Sequence, residues 1–227
     1  MKRLLALALI PLISGCQLLN EVINPGEGAL ELQVASTIPT FQYLIPGDTS
    51  WQTVPGVSLT GELTVKDAFG TVLGAGAINA GGVSTLKTKP GGQSLFGVLR
   101  SNQVIAEARQ EIVPGQGTSN VSLTFHAIIS RVVFPPSSET VTAGSTVNLP
   151  FWVFGPLYRV SGVGAFGANA SVSGAGELVA SDSQTVQIRV NSQAAPGSKV
   201  NVFLTVRSNN PQSPTQASTS LVLTVGQ

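Results

Sequence analysis

The side chains suited to nucleophilic, acid–base or metal chemistry are few: one cysteine, Cys16, one histidine, His126, and 11 acidic residues among 227. His126 has no Ser, Cys or Asp beside it in sequence. A lone histidine is more often structural than catalytic, and a triad would have to be assembled in space. One cysteine and one histidine supply too few soft and imidazole ligands for a structural zinc. Asp48, Asp67 and Asp182 are dispersed in turn sequences, where a carboxylate accepts hydrogen bonds from nearby backbone amides. The alternating acids of a calcium loop are absent. These observations predict no catalytic residue, no metal and no cofactor.

Two glycine- and serine-containing patterns imitate reactive motifs. Gly162-Val163-Gly164-Ala165-Phe166-Gly167 has the glycine spacing that cradles a pyrophosphate, and Asp182 follows Gly162 by twenty residues. That chemistry needs a helix N-terminus behind the glycines, whereas Ala168-Asn169-Ala170-Ser171-Val172-Ser173-Gly174 starts no helix, so an inter-strand loop is expected. Ser84-Thr85-Leu86-Lys87 and Ser181-Asp182-Ser183 match two elements of an activated-serine site, but Lys-Thr-Gly is missing and the first lies in a strand pattern. Asn120-Val121-Ser122 and Asn169-Ala170-Ser171 are formal glycosylation acceptors and are expected to carry nothing.

Cys16 is the residue with a chemical reading of its own. Met1-Lys2-Arg3 is a basic start, Leu4 to Ile13 is an apolar stretch too short to span a bilayer as a helix, and Ile13-Ser14-Gly15-Cys16 closes it. This resembles the lipobox of bacterial lipoproteins. The resemblance implies cleavage before Cys16, lipidation of its sulfur and its new amino group, and a signal peptide over residues 1–15. Each buried CH₂ of an acyl chain contributes roughly 0.8 kcal/mol, so several chains anchor the protein durably. Gln17, in place of Asp, implies the outer membrane by the family's sorting habit. Removal of residues 1–15 leaves 212 residues with 10 basic and 11 acidic side chains. Residues 16–28 read as a lipidated tether, with Asn24-Pro25-Gly26 as a turn.

The remainder must supply a scaffold, and its composition limits what kind. Net charge is +1, and charged residues make up 10% against about 25% in ordinary soluble domains. A nucleic-acid binder would need a basic stripe, so that class is excluded. With 42% hydrophobic residues in short alternating runs broken by 25 Gly and 14 Pro, the chain reads as all-β. Two antiparallel β-sandwich domains of immunoglobulin-like type are expected, over residues 29–127 and 128–227.

In the first half, Leu30 to Val34, Val57 to Val65, Thr71 to Leu73, Val83 to Lys87, Leu95 to Leu99, Val104 to Ile112 and Val121 to Phe125 have strand patterns. Residues 57–125, with Val65 to Leu73, Gly81-Gly82 and Val113-Pro114-Gly115, resemble prealbumin-like or carboxypeptidase-regulatory-like modules. In the second half, Phe134 to Val147, Ala194-Ala195-Pro196-Gly197 and Thr219 to Val225 resemble, in order, the opening, the late corner and the last strand of bacterial immunoglobulin-like domains. Pro196-Gly197 should reverse the chain between Val186/Ile188/Val190 and Val200/Val202/Leu204/Val206, with both sets facing one core.

Period two along Val147 to Phe154 puts Val147, Leu149, Phe151 and Val153 inside and Trp152 and Phe154 outside. The same parity puts Phe203 outside, and Tyr158-Arg159 follows in the next loop. Trp152, Phe154, Tyr158, Arg159 and Phe203 are therefore the candidate contact residues, for another part of the chain, a protein partner or a sugar ring. The expected role is a non-enzymatic envelope lipoprotein, held to a membrane through Cys16 and contributing surface to an envelope assembly. The alternative is a carbohydrate- or peptidoglycan-binding module with Trp152, Tyr158 and Trp51 as platforms. Coplanar exposed rings would favour the sugar, and a closed apolar patch would favour assembly.

Overall fold

The computed structural model describes residues 30–79, 82–115, 117–136, 139–162 and 165–227. The expected signal peptide, Cys16, the tether and Ala29 lie outside the described residues, as do Gly81, Ser137-Ser138 and Val163-Gly164. The described residues contain twenty strands and one 3₁₀ turn.

The strands of the first half are β1 (Leu30–Thr37), β2 (Thr40–Tyr43), β3 (Gln52–Thr53), β4 (Thr60–Asp67), β5 (Val72–Ala77), β6 (Val83–Thr88), β7 (Gln93–Ser101), β8 (Gln103–Ile112), β9 (Thr118–Thr124) and β10 (His126–Ala127). In the second half follow β11 (Arg131–Val133), β12 (Thr140–Val141), β13 (Thr146–Pro150), β14 (Trp152–Phe154), β15 (Arg159–Ser161), β16 (Phe166–Gly174), β17 (Gly176–Ser181), β18 (Thr185–Val190), β19 (Lys199–Ser208) and β20 (Gln216–Val225). The all-β expectation holds, and alternation is its cause. Leu30, Leu32 and Val34 of β1 are buried while Glu31 is exposed, and Leu63 and Val65 of β4 are buried on the same logic. The strand expected from Val57 starts later, because Pro55 leads into a turn over Gly56–Ser58 in which the Ser58 amide donates to the Pro55 carbonyl at 3.0 Å.

Two sheets, ordered β6-β1-β9 and β10-β8-β7-β4-β5, face each other in the first half. In the second, β13-β18-β17 faces β12-β20-β19-β16. An immunoglobulin sandwich places its second, fifth and fourth strands in one sheet and its third, sixth and seventh in the other. With β13 as the second strand, β13-β18-β17 and β16-β19-β20 reproduce that order, and the first half orders its strands differently. Pro196-Gly197 makes the expected corner: Gly197 has φ +84°, and Val186, Ile188, Val190, Val200, Val202, Leu204 and Val206 are all buried.

Two features differ from the expected pair of antiparallel sandwiches. In each half a strand near the start runs parallel to one near the end, β1 with β9 and β12 with β20. Parallel neighbours are not joined by a hairpin, so no turn sequence announces them. The boundary expected near residue 127 is also crossed by a fifth sheet, ordered β11-β14-β15-β2-β3, in which β2 pairs with β15 through Gln42↔Arg159, Phe41↔Val160 and Thr40↔Ser161. Its inner face, carrying Val132, Val153, Val160, Phe41 and Val54, joins a buried apolar cluster that contains residues of both halves. β13 feeds this sheet by changing partners. The Phe151 amide makes its bond to the Gln184 carbonyl at 2.9 Å, and from Trp152 the chain pairs with β11 instead of β18.

Candidate functional site

The outer face of the shared sheet carries most of the expected contact residues. Leu149, Phe151 and Val153 point into the core and are buried, while Trp152 and Phe154 point out, half-buried. Cross-strand register then aligns Arg131, Phe154, Arg159, Gln42 and Thr53 in one row. Partners opposite one another in a sheet share a face, so both arginines lie with the aromatics.

What covers Trp152 and Phe154 comes from the other half of the chain. Trp51, just before β3, sits with its ring centroid 5.5 Å from Trp152 at an interplanar angle of 74°, and 5.9 Å from Phe154 at 59°. These are the edge-to-face and tilted arrangements that ring quadrupoles favour. The Arg159 guanidinium carbon lies 4.9 Å from the Trp51 centroid and 5.6 Å from that of Trp152, and the Arg131 carbon lies 4.6 Å from that of Phe154. Such stacking of a cation on a ring is worth about 0.5–1 kcal/mol at an exposed site and more where water is excluded. Burial holds the Arg159 guanidinium below its ordinary pKa, the direction expected for a charge kept partly out of water. The described residues contain two ion pairs, Arg109–Glu111 at 2.9 Å and Arg189–Glu177 at 3.4 Å, so neither Arg131 nor Arg159 is matched by a carboxylate among them.

Tyr158 also serves the junction of the halves. Its hydroxyl is 2.9 Å from the Ser101 hydroxyl at the end of β7, and its ring packs against the core. Phe203 is brought to none of these. It lies on β19 in the sheet β12-β20-β19-β16, 50% exposed, between Ser171 and Ser220 as cross-strand partners and Asn201 and Thr205 on its own strand. The five candidates are thus split into a cluster of four at the shared sheet and one isolated ring. Trp51, Trp152 and Phe154 are half-buried and not coplanar, standing at 74° and 59° to one another across the Trp51 ring. Arg131 had no sequence signal of its own, because its place in the row follows only from β11 pairing with β14.

The other reactive-looking residues have structural employment. Asp67 Oδ1 accepts the Phe69 and Thr71 amides at 2.9 and 2.8 Å, and Asp182 Oδ1 accepts those of Gln184 and Thr185, both at 2.7 Å. Ser84 lies in β6 and its hydroxyl accepts the Asn79 amide at 2.8 Å. After Gly162, with φ +127°, the glycine pattern runs into strand β16, with no helix over the described residues. His126 is half-buried on β10 opposite Glu107, and burial lowers its pKa from 6.5. Among the described residues no three His, Cys, Asp or Glu side chains could hold a metal ion together. A polar cavity of about 430 Å³ opens beside Gly144, Gly174, Gly176 and Asn191, and its one arginine, Arg189, is paired with Glu177.

No family model matches the chain and no curated protein matches it. Among solved structures it is similar to the BSP domain of a biofilm-associated protein, at 14% identity over 92% of this chain and 31% of that one, with a TM-score of 0.23. It is also similar to a SusE-like surface-located polysaccharide-binding protein from the Bacteroides thetaiotaomicron heparin utilisation locus, at 9% identity over 87% of this chain and 34% of that one, with a TM-score of 0.29. The chain spans about a third of the length of those structures. Likeness of that degree says nothing of what this chain binds.

Proposed function

We propose that this chain is a non-enzymatic lipoprotein of the bacterial cell envelope, anchored through Cys16 in the outer membrane, which contributes surface to a protein assembly. The observation that carries this reading is the edge strand β17. It pairs only with β18, and Leu178 and Val179 on it are 40% and 41% exposed. Soluble proteins blunt such edges with lysines, prolines, bulges or covering segments. Here the single charge of the strand, Glu177, is paired with Arg189, and the bulge between Leu178 and Ala180 is the one irregularity. An edge of that kind accepts an extended strand of a partner, main-chain hydrogen bonds giving the affinity. The low charge of the chain agrees, since surfaces buried in assemblies are depleted of Lys, Glu and Asp.

A glycan reading rests on Phe203. An exposed ring amid Ser171, Ser220, Asn201 and Thr205 pairs an apolar surface with hydroxyl and amide partners, the combination a pyranose presents in reverse. One experiment separates the two readings. The native chain is isolated from its envelope in mild detergent beside a Leu178→Lys/Val179→Lys form and a Phe203→Ala form. A stoichiometric protein partner, absent from the edge variant and retained by Phe203→Ala, is the expected result. A chain that comes out alone, and is retarded by peptidoglycan only while Phe203 is present, replaces assembly with glycan binding.

A further inference from the structure

We infer that the end of the shared sheet that carries Leu44, Ile45 and Leu157 is a lipid-contact tip, which docks on an anionic bilayer surface. Continuing the β2–β15 register, in which Gln42 faces Arg159, puts Leu44 opposite Leu157 beyond the last paired residues. Leu44, Ile45 and Leu157 are 44%, 43% and 43% exposed and come from two different turns. They form a small apolar projection at one end of a sheet whose inner residues are buried.

The surroundings of this projection have the composition of a membrane interface. Trp51 and Trp152 lie behind it, half-buried, and such amphipathic rings settle at headgroup level. Arg131 and Arg159 flank the rings without a carboxylate partner among the described residues, and Arg159 bears the cost of its burial. Asp48, in the turn closed by its own amide on the Ile45 carbonyl at 2.9 Å, is the acid of the same loop, which leaves the cluster cationic. Exposed aliphatics ahead of aromatics and unpaired arginines fit phosphate headgroups above acyl chains. Each arginine near an anionic surface strengthens the partition by about fivefold.

Chain length places the membrane within reach. From Leu30, where β1 begins, to Leu44 is fourteen steps, at most about 46 Å at strand rise. Cys16 to Leu30 is also fourteen steps and spans up to about 46–50 Å when extended. The inference rests on the lipid-anchored reading to that extent, and mass spectrometry of the N-terminal peptide reports the anchor separately, so the two can fail independently.

The chain has two tryptophans, Trp51 and Trp152, both in this cluster, so its intrinsic emission reports on this end alone. The full lipidated chain is reconstituted through its anchor into phosphatidylcholine–phosphatidylglycerol vesicles with brominated acyl chains. Emission is expected to shift to the blue and to be quenched, and the quenching to fall several-fold in pure phosphatidylcholine. Leu44→Asp/Leu157→Asp should lose the quenching while the protein stays on the vesicle by its anchor. Val72→Asp/Val83→Asp, in other sheets and likewise exposed, serves as the control for two added charges and should keep it. Emission unquenched in the anionic vesicles, or quenched equally in the double variant, overturns the inference.

Discussion

Trp51→Ala removes the one ring that ties the segment before β3 to the outer face of β14, and its cost can be worked from the contacts. Two ring pairs, to Trp152 at 5.5 Å and to Phe154 at 5.9 Å, are lost, each worth about 0.5–1.5 kcal/mol beyond area burial. The Arg159 guanidinium 4.9 Å from the ring loses a cation–π contact of about 0.5–1 kcal/mol. The ring is half-buried, so the further loss of apolar burial is below that of a full core truncation. A destabilisation of about 2–4 kcal/mol follows, and at 2–4 °C per kcal/mol for this size the midpoint should fall by roughly 5–15 °C. The assay is thermal and urea unfolding followed by circular dichroism for wild type, Trp51→Ala, Trp152→Ala and the double variant. The cycle should show a coupling of about 0.5–1.5 kcal/mol, above the roughly 0.3–0.5 kcal/mol scatter of independent sites. Additive single effects, or a Trp51→Ala loss under about 0.5 kcal/mol, would refute the view that this ring clamps the two halves together.

Gly97 lies on β7 where an added Cβ would run into the Phe125 ring and meet Leu123 at 3.0 Å, so Gly97→Ala should cost about 1–3 kcal/mol by overpacking, measured as a lower urea midpoint with unchanged slope. His126 has its pKa lowered from 6.5 by burial, so the folded state binds a proton less readily than the unfolded chain. Stability should be level above about pH 7 and decline as pH falls below 6.5, and His126→Gln should flatten that part of the profile. Lower still, below about 4.5, Glu111 adds a second decline, because the Ser94 hydroxyl first and Arg109 next hold its carboxyl below the usual range. Phe203→Ala, at an exposed position, should change stability by less than about 0.5 kcal/mol, so that any lost retention on peptidoglycan reads binding and not folding.

Much of the fold was legible because burial alternates wherever a sheet has one face on the core. Leu30, Leu32 and Val34 declare β1, and Val200, Val202, Leu204 and Val206 declare β19, by the same period. Pro196-Gly197 was legible as a corner because a fixed φ followed by a positive one leaves the chain little choice. The shared sheet was not legible. Thr40–Tyr43 and Gln52–Thr53 are short and carry no clean alternation, and Thr40–Tyr43 finds its second partner strand at Arg159–Ser161, more than a hundred residues later.

For the candidate site, parity correctly sent Trp152 and Phe154 to the outer face but could not say what lies above it. Trp51 is 101 residues from Trp152, and nothing local in either stretch encodes that contact. The same holds for the two unpaired arginines. Arg159 was visible as a neighbour of Tyr158, whereas Arg131 joins it only through the register of β11 on β14. Exposed Leu178 and Val179 were equally hidden, since an edge strand and a central strand have the same local pattern until the sheet order is known.

The central claim is an interaction module held at the envelope by lipid on Cys16. It is tested most directly by mass spectrometry of the native N-terminus, with labelled palmitate supplied to cells expressing the full chain or its Cys16→Ala form. The account predicts a mature chain that begins at Cys16, carries acyl chains there and partitions into detergent, with no label on Cys16→Ala. A mature chain that begins elsewhere, or an unmodified Cys16 on a protein recovered in the aqueous phase, would contradict it.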